Sequence, residues 1–247
     1  MTETMISELR HGDPATHRRH AALALGTSKE TGLVPVLVEA LRTETDGRVR
    51  EDITWAIVQH ADEAEGHIQQ MLVSENPSDR FSGAHVISKI ANPAHFDAVA
   101  PLVLDEHVDV AIKAYRAAAH TGGERAPAVL VQRLGDGDEL QRDALSDAFR
   151  KLGEIAVPAL VGSLADDDAD VRDHAVEALG YLGEHAAAAA DALEARVADE
   201  HEPIRLTAVS ALGQLGEAAA PALQRASGSD DPVLSGLAKR FLEKLAA

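Results

Sequence analysis

The feature that most restricts how this chain can fold is a repeat. The stretch DADVRDHAVEALGYLG (Asp168–Gly183) shares with DGRVREDITWAIVQH (Asp46–His60) a frame of Asp-x-x-Val-Arg followed by small and aliphatic residues. Aligning the last residue of that frame along the chain gives one column: Arg18, Arg50, Arg80, Ala111, Arg142, Arg172, Arg205 and Leu234. The intervals are 32, 30, 31, 31, 30, 33 and 29 residues, a steady period of about 31. Six residues on stand Ala24, Ala56, Val86, Ala117, Ala148, Ala178 and Ala211; one further come Leu25, Ile57, Ile87, Ala118, Phe149, Leu179 and Leu212. With the residue before the column and the one three after it, these offsets fall on one helical face. Each frame therefore predicts an amphipathic helix of about 14 residues with a narrow apolar stripe.

A second apolar segment precedes each frame, among them GLVPVLVEAL, FDAVAPLVL, AVPALVGSL and APALQRA. Pro35, Pro127, Pro158 and Pro221 lie early in theirs, where a first helical turn tolerates a missing N–H. Pro101 lies later and should kink or shorten its helix. Asp46, Asp138 and Asp168 are placed to cap frame helices, and Asp13-Pro14 and Asp231-Pro232 read as a cap followed by a first-turn proline. Gly183 and Gly216 stand where helices should stop. No stretch alternates at period two, so no sheet is expected. Aromatic residues are only 3% of the chain, so Ala, Leu and Val must fill the core, which suits close helix–helix packing.

Helix pairs at this period stack into an all-α solenoid, here of about seven to eight pairs. DADVRDHAVEALGYLG, EPIRLTAVSALGQLG (202–216) and VPALVGSL (157–164) resemble the HEAT-repeat family in its short, phycobilisome-lyase-like form. The resemblance covers roughly residues 13–245 and implies one solenoid over 1–247, with degenerate repeats at about 13–125 and consensus-like ones at about 126–247. It also implies that the frame helices line the concave surface. About function it says little, because such repeats serve scaffolds, inhibitors, lyases and hydroxylases alike.

If the frame helices face inward, offsets +1, +4 and +5 point into the concavity. There the repeats stop agreeing. The +5 column reads Leu23, Trp55, His85, Arg116, Asp147, Glu177 and Ser210, and includes the only Trp of the chain. Phe81 stands at +1 and Tyr115 at +4 of neighbouring frames. Stacked helices sit roughly 10 Å apart, so Trp55, Phe81, His85, Tyr115 and Arg116 would form one strip, edged by Glu51, Asp52, Gln59, Lys89 and His120. Aromatics and Arg rimmed by polar groups are the material of binding hot spots. The competing reading makes Trp55, Phe81 and Tyr115 ordinary packing in degenerate repeats. In the later repeats Asp143, Asp147, Asp173 and Glu177 make the same face acidic, and Asp173 and His174 read as an exposed polar face.

The expected role is a noncatalytic scaffold that grips a protein or peptide partner, for which a basic segment is a candidate feature. The partner-binding candidates are Glu51, Trp55, Phe81, His85, Tyr115, Arg116, His120, Asp147 and Glu177. The net charge of −18 argues against nucleic acid and anionic membranes as partners. The absence of cysteine removes thiolate chemistry and disulfides. The opening MTETMISELR is polar and helix-like rather than a targeting segment, which favours the cytoplasm. The alternative is an enzyme or a metal- or cofactor-binding protein using the N-terminal half, where nine of the twelve histidines lie. Asp52, His85 and His120 are the metal candidates, although no compact His pair on one frame helix supports them. Deoxyhypusine hydroxylases place His-Glu pairs on inner helices, and the sole His-Glu here, His201-Glu202, precedes a helix. A bilin-lyase-like role would use the aromatic strip with Arg116 or Arg19. No motif calls for a cofactor.

Overall fold

The computed structural model describes residues 1–246, and among them every regular element is a helix. The chain divides into two compact units, Met1–Thr121 and Gly122–Ala247. In the first, the frames form α2 (Ala15–Thr27), α4 (Gly47–Gln59), α6 (Pro77–Ile90) and α8 (Val108–Thr121), each packed on the next. Behind them lie α1 (Thr2–His11), α3 (Val34–Thr43), α5 (Ala61–Leu72) and α7 (Phe96–Val99), paired in order with the frame helices. The second unit repeats the scheme. Its frame helices are α10 (Glu139–Leu152), α12 (Ala169–Leu182), α14 (Glu202–Leu212) and α16 (Pro232–Leu245), backed by α9 (Ala126–Leu130), α11 (Val157–Ser163), α13 (Ala190–Arg196) and α15 (Ala220–Ala226). The fold is an all-α solenoid.

Local chemistry sets the ends of these helices. The Asp46 carboxylate accepts from the N–H groups of Arg48 and Val49, Asp138 from Gln141, Asp168 from Asp170, and Asp231 from Val233 and Leu234. Each satisfies donors that a helix start leaves open. Asp13 does not do so: Pro14 itself is the cap residue of α2, with no side-chain bond. Pro101 shortens its segment as expected, leaving α7 four residues long and followed by a 3-10 turn over Ala100–Leu104. Gly183, at φ +58°, ends α12. Gly216 lies beyond the end of α14, which is capped by Gly213.

The frame arginines hold neighbouring repeats together. Arg18, Arg80 and Arg172 donate to backbone carbonyls of their own preceding loops: Gly12, Ser74 and Glu75, and Asp166 and Asp167. The same guanidinium groups reach the acid in the loop of the next repeat, Glu44 at 2.6 Å, Asp105 at 2.7 Å and Asp199 at 3.1 Å. The hydrogen bond from Arg18 holds Glu44 below the usual carboxylate range. Burial works against the charges of Asp105 and Asp199, and the Arg80 and Arg172 pairs outweigh it.

The apolar stripe is wider than its sequence columns predict. Ala22, Thr54, Ala84, Tyr115, Ser146, Val176 and Val209, the whole +4 column, are buried. A frame helix in a stack touches its backing helix and frame neighbours as well, so its covered arc takes in +4. This corrects the expectation that offset +4 points into the concavity. Tyr115 is fully buried core and not part of an exposed strip, and Thr54 lies beneath the surface.

Candidate functional site

Trp55 sits where α2 and α4 come close at Gly26. A Cβ added to Gly26 would stand 2.9 Å from Ala56 Cα and 2.6 Å from Cζ3 of the indole. Glycine is what allows the backbones this near, and the space it leaves is taken by the indole at Cζ3. The indole is nevertheless 38% exposed. Its outer side borders a cleft of ≈ 470 Å³ lined by Leu23, Glu51, Asp52, Thr54, Val58 and Lys89. The only Trp of the chain is thus packed against α2 at one point and exposed elsewhere.

Glu51 links this cleft to the next frame helix. Its Oε1 accepts from His85 Nε2 at 2.7 Å, and its Oε2 lies 3.4 Å from Lys89 Nζ. Burial disfavours its charge, but His85 and Lys89 together hold its carboxyl below the usual range. His85 is only 8% exposed, and burial lowers its pKa despite Glu51. The neutral ring therefore carries its proton on Nε2 near pH ~7, and Nδ1 is buried with no hydrogen-bond partner among the described residues. The Phe81 ring stacks on His85 with centroids 6.4 Å apart. Lys113 Nζ stands 5.1 Å from the Phe81 centroid, a cation–π contact. Burial lowers the Lys113 pKa, and the charges of Arg116 and Lys89 add to the effect against the pull of Glu51.

The remaining candidates scatter. Arg116 is exposed, and His120 Nδ1 bonds the Ser88 carbonyl at 2.8 Å. The three metal candidates have other partners: Asp52 pairs with Arg19 at 2.6 Å, His85 with Glu51, and His120 with Ser88. No group of three or more potential ligands converges among the described residues.

In the second unit three of the four acids of the acidic face, Asp147, Asp173 and Glu177, pair with the chain's own cations. Arg142 lies 3.4 Å from Asp173 and 3.0 Å from Glu177, and Arg150 lies 2.8 Å from Asp147. His174 is fully buried, contrary to the exposed face expected for it. Its Nδ1 accepts from the Gly135 N–H at 3.2 Å, and its Nε2 lies 3.1 Å from the Arg142 carbonyl. Burial, reinforced by the Arg142 charge, brings its pKa to about 4. Sequence columns overlooked Tyr181, which is 58% exposed on α12 and borders a groove of ≈ 500 Å³. The available signal was glycine at offset +8 in the frames of Arg18, Arg172 and Arg205.

A family model of HEAT repeats matches residues 2–68 and 154–242, more than half of the chain. The chain belongs to the HEAT-repeat family. No curated protein matches it significantly. Among solved structures, it superposes on Kap95p in a complex with RanGDP at a TM-score of 0.61 and 11% identity, covering 100% of this chain and 40% of Kap95p. Looser likenesses are human deoxyhypusine hydroxylase (TM-score 0.42, 18% identity, covering 99% and 96%) and the CpcE–CpcF complex of phycocyanin lyase from Nostoc sp. PCC7120 (0.45, 20%, 99% and 94%). At these identities the likeness is one of fold, and the Kap95p match supports the solenoid. No helix among the described residues is long and apolar enough to cross a membrane.

Proposed function

We propose that this HEAT-repeat protein is a noncatalytic scaffold that binds a protein or peptide partner through the Trp55 cleft of its first unit. The observation that carries this reading is the half-exposed indole, seated on Gly26 and bordered by Leu23, Val58, Glu51 and Lys89. A rigid aromatic with an apolar surround and charged selectors is the composition of an interface anchor. Phe81, His85 and Lys113 support the cleft wall through Glu51 rather than forming a separate contact strip. Kap95p, matched in a complex with RanGDP, uses the same architecture to hold a protein. A basic segment in the partner draws its support from the net charge of −18, because Glu177, Asp173 and Asp147 are already paired.

The test is affinity capture from the native host with wild-type and Trp55→Ala bait, read by quantitative mass spectrometry. The variant should lose the specific partner at least about tenfold while keeping its helical circular dichroism. Equal recovery of that partner by both baits would remove the cleft from the interface.

A further inference from the structure

Glycine stands eight residues after the frame column in three repeats, at Gly26, Gly180 and Gly213. In each case the following frame helix comes close. A Cβ at Gly180 would lie 3.2 Å from Ala211 Cα, and one at Gly213 would run into the Phe241 ring. At Gly26 the space is taken by the indole of Trp55, at offset +5, together with Ala56, and at Gly213 by the phenyl ring of Phe241, at offset +7. The third is different. Ser210 occupies the register position of Trp55, and beyond Gly180's own neighbours only Ala211 comes within 4 Å of the point where a Cβ would be. A groove of ≈ 500 Å³ opens there, lined by Glu177, Gly180, Tyr181, Thr207, Ser210 and Gln214. That volume is in the range of ligand sites.

We propose that the groove over Gly180 receives an aromatic side chain carried on a basic peptide segment of a partner protein. The step at Gly26 shows the shape of the occupant, because there the same approach of a glycine to the alanine of the next frame helix lies against an indole. Tyr181 offers a second ring for edge or face contact. Thr207, Ser210 and Gln214 supply hydrogen-bonding groups for the peptide backbone. The basic character follows from charge: residues 122–247 carry 12 Lys and Arg against 23 Asp and Glu, net −11. This site lies in the second unit and does not depend on the role given to Trp55.

The experiment is a titration of the isotope-labelled full chain with the peptide Ac-Lys-Trp-Lys-amide, followed by amide chemical shifts. Saturable shifts are expected at Gly180, Tyr181, Ser210 and Gln214, and they should be absent with Ac-Lys-Ala-Lys-amide. Ser210→Trp places an indole where Trp55 stands in the first unit and should abolish the response. Tyr181→Ala, at an exposed position, should weaken binding about fivefold or more and carries the test if Ser210→Trp fails to fold. The proposal is overturned by an equal response to the alanine peptide, by binding that survives both substitutions, or by no saturable shift at millimolar peptide. Shifts confined to Leu23, Trp55 and Lys89 would also overturn it, while leaving the Trp55 reading intact.

Discussion

The Gly26 step in the first unit and the Gly180 step in the second use the same backbone device with opposite outcomes. Each brings a glycine against the alanine of the next frame helix, Ala56 or Ala211. In the first unit residue 55 is Trp, and the trough is roofed by an indole; in the second residue 210 is Ser, and the trough is open. At these two steps the difference lies in the side chain five residues after the frame column: Trp55 lies against the first glycine, and Ser210 leaves the second open.

The largest effect that would sharpen this comparison is a response to acid. His174 of the second unit is neutral in the fold down to about pH 4, whereas the unfolded chain takes up that proton near 6.5. Between those limits the unfolded state binds more protons, so stability falls as pH falls, by on the order of 3 kcal/mol across the interval. Urea unfolding at about pH 7 and about pH 4.5, followed by amide exchange in α12, should show the loss. His174→Gln should flatten it, and an equally steep loss in that variant would assign the effect elsewhere.

Next in size is the ring itself. Truncating a fully buried Trp costs about 3–5 kcal/mol, and with its outer face in water Trp55→Ala should cost about 2. Ser210→Ala should stay within about 0.5 kcal/mol. Equal midpoints in thermal unfolding would break the contrast between roofed and open troughs.

The smallest effect concerns the glycines. Alanine gains about 1 kcal/mol over glycine inside a helix. At Gly26 the new methyl meets Ala56 Cα at 2.9 Å and the indole at 2.6 Å, so the net result should be a loss of about 1 kcal/mol. At Gly180 the closest atoms are 3.2 Å away, and the two effects should nearly cancel. Adding Trp55→Ala to Gly26→Ala should recover part of the second loss, a coupling measurable in a double-mutant cycle.

The helices and their order were legible because the frame columns report a buried face at fixed offsets, and the caps at Asp46, Asp138, Asp168 and Asp231 are local chemistry. Trp55 was legible as an anomaly, since it breaks its own column. What columns could not carry is the width of the covered arc, which depends on neighbours on both flanks of a frame helix. Tyr115 and His174 were misplaced outward for that reason. Nor could they reveal partners a whole repeat away: Arg142 meets Glu177 across 35 positions, and the acidic face looked uncompensated until that pair was seen.

The clamps of Arg18, Arg80 and Arg172 have a consequence for how such a chain can change over time. Each spans the gap from its own loop to the following one with a side chain of fixed reach, and so acts as a ruler laid between successive corners. The repeats that begin at these three arginines run 32, 31 and 33 residues, so a repeat can differ in length as long as its corners stay within that reach.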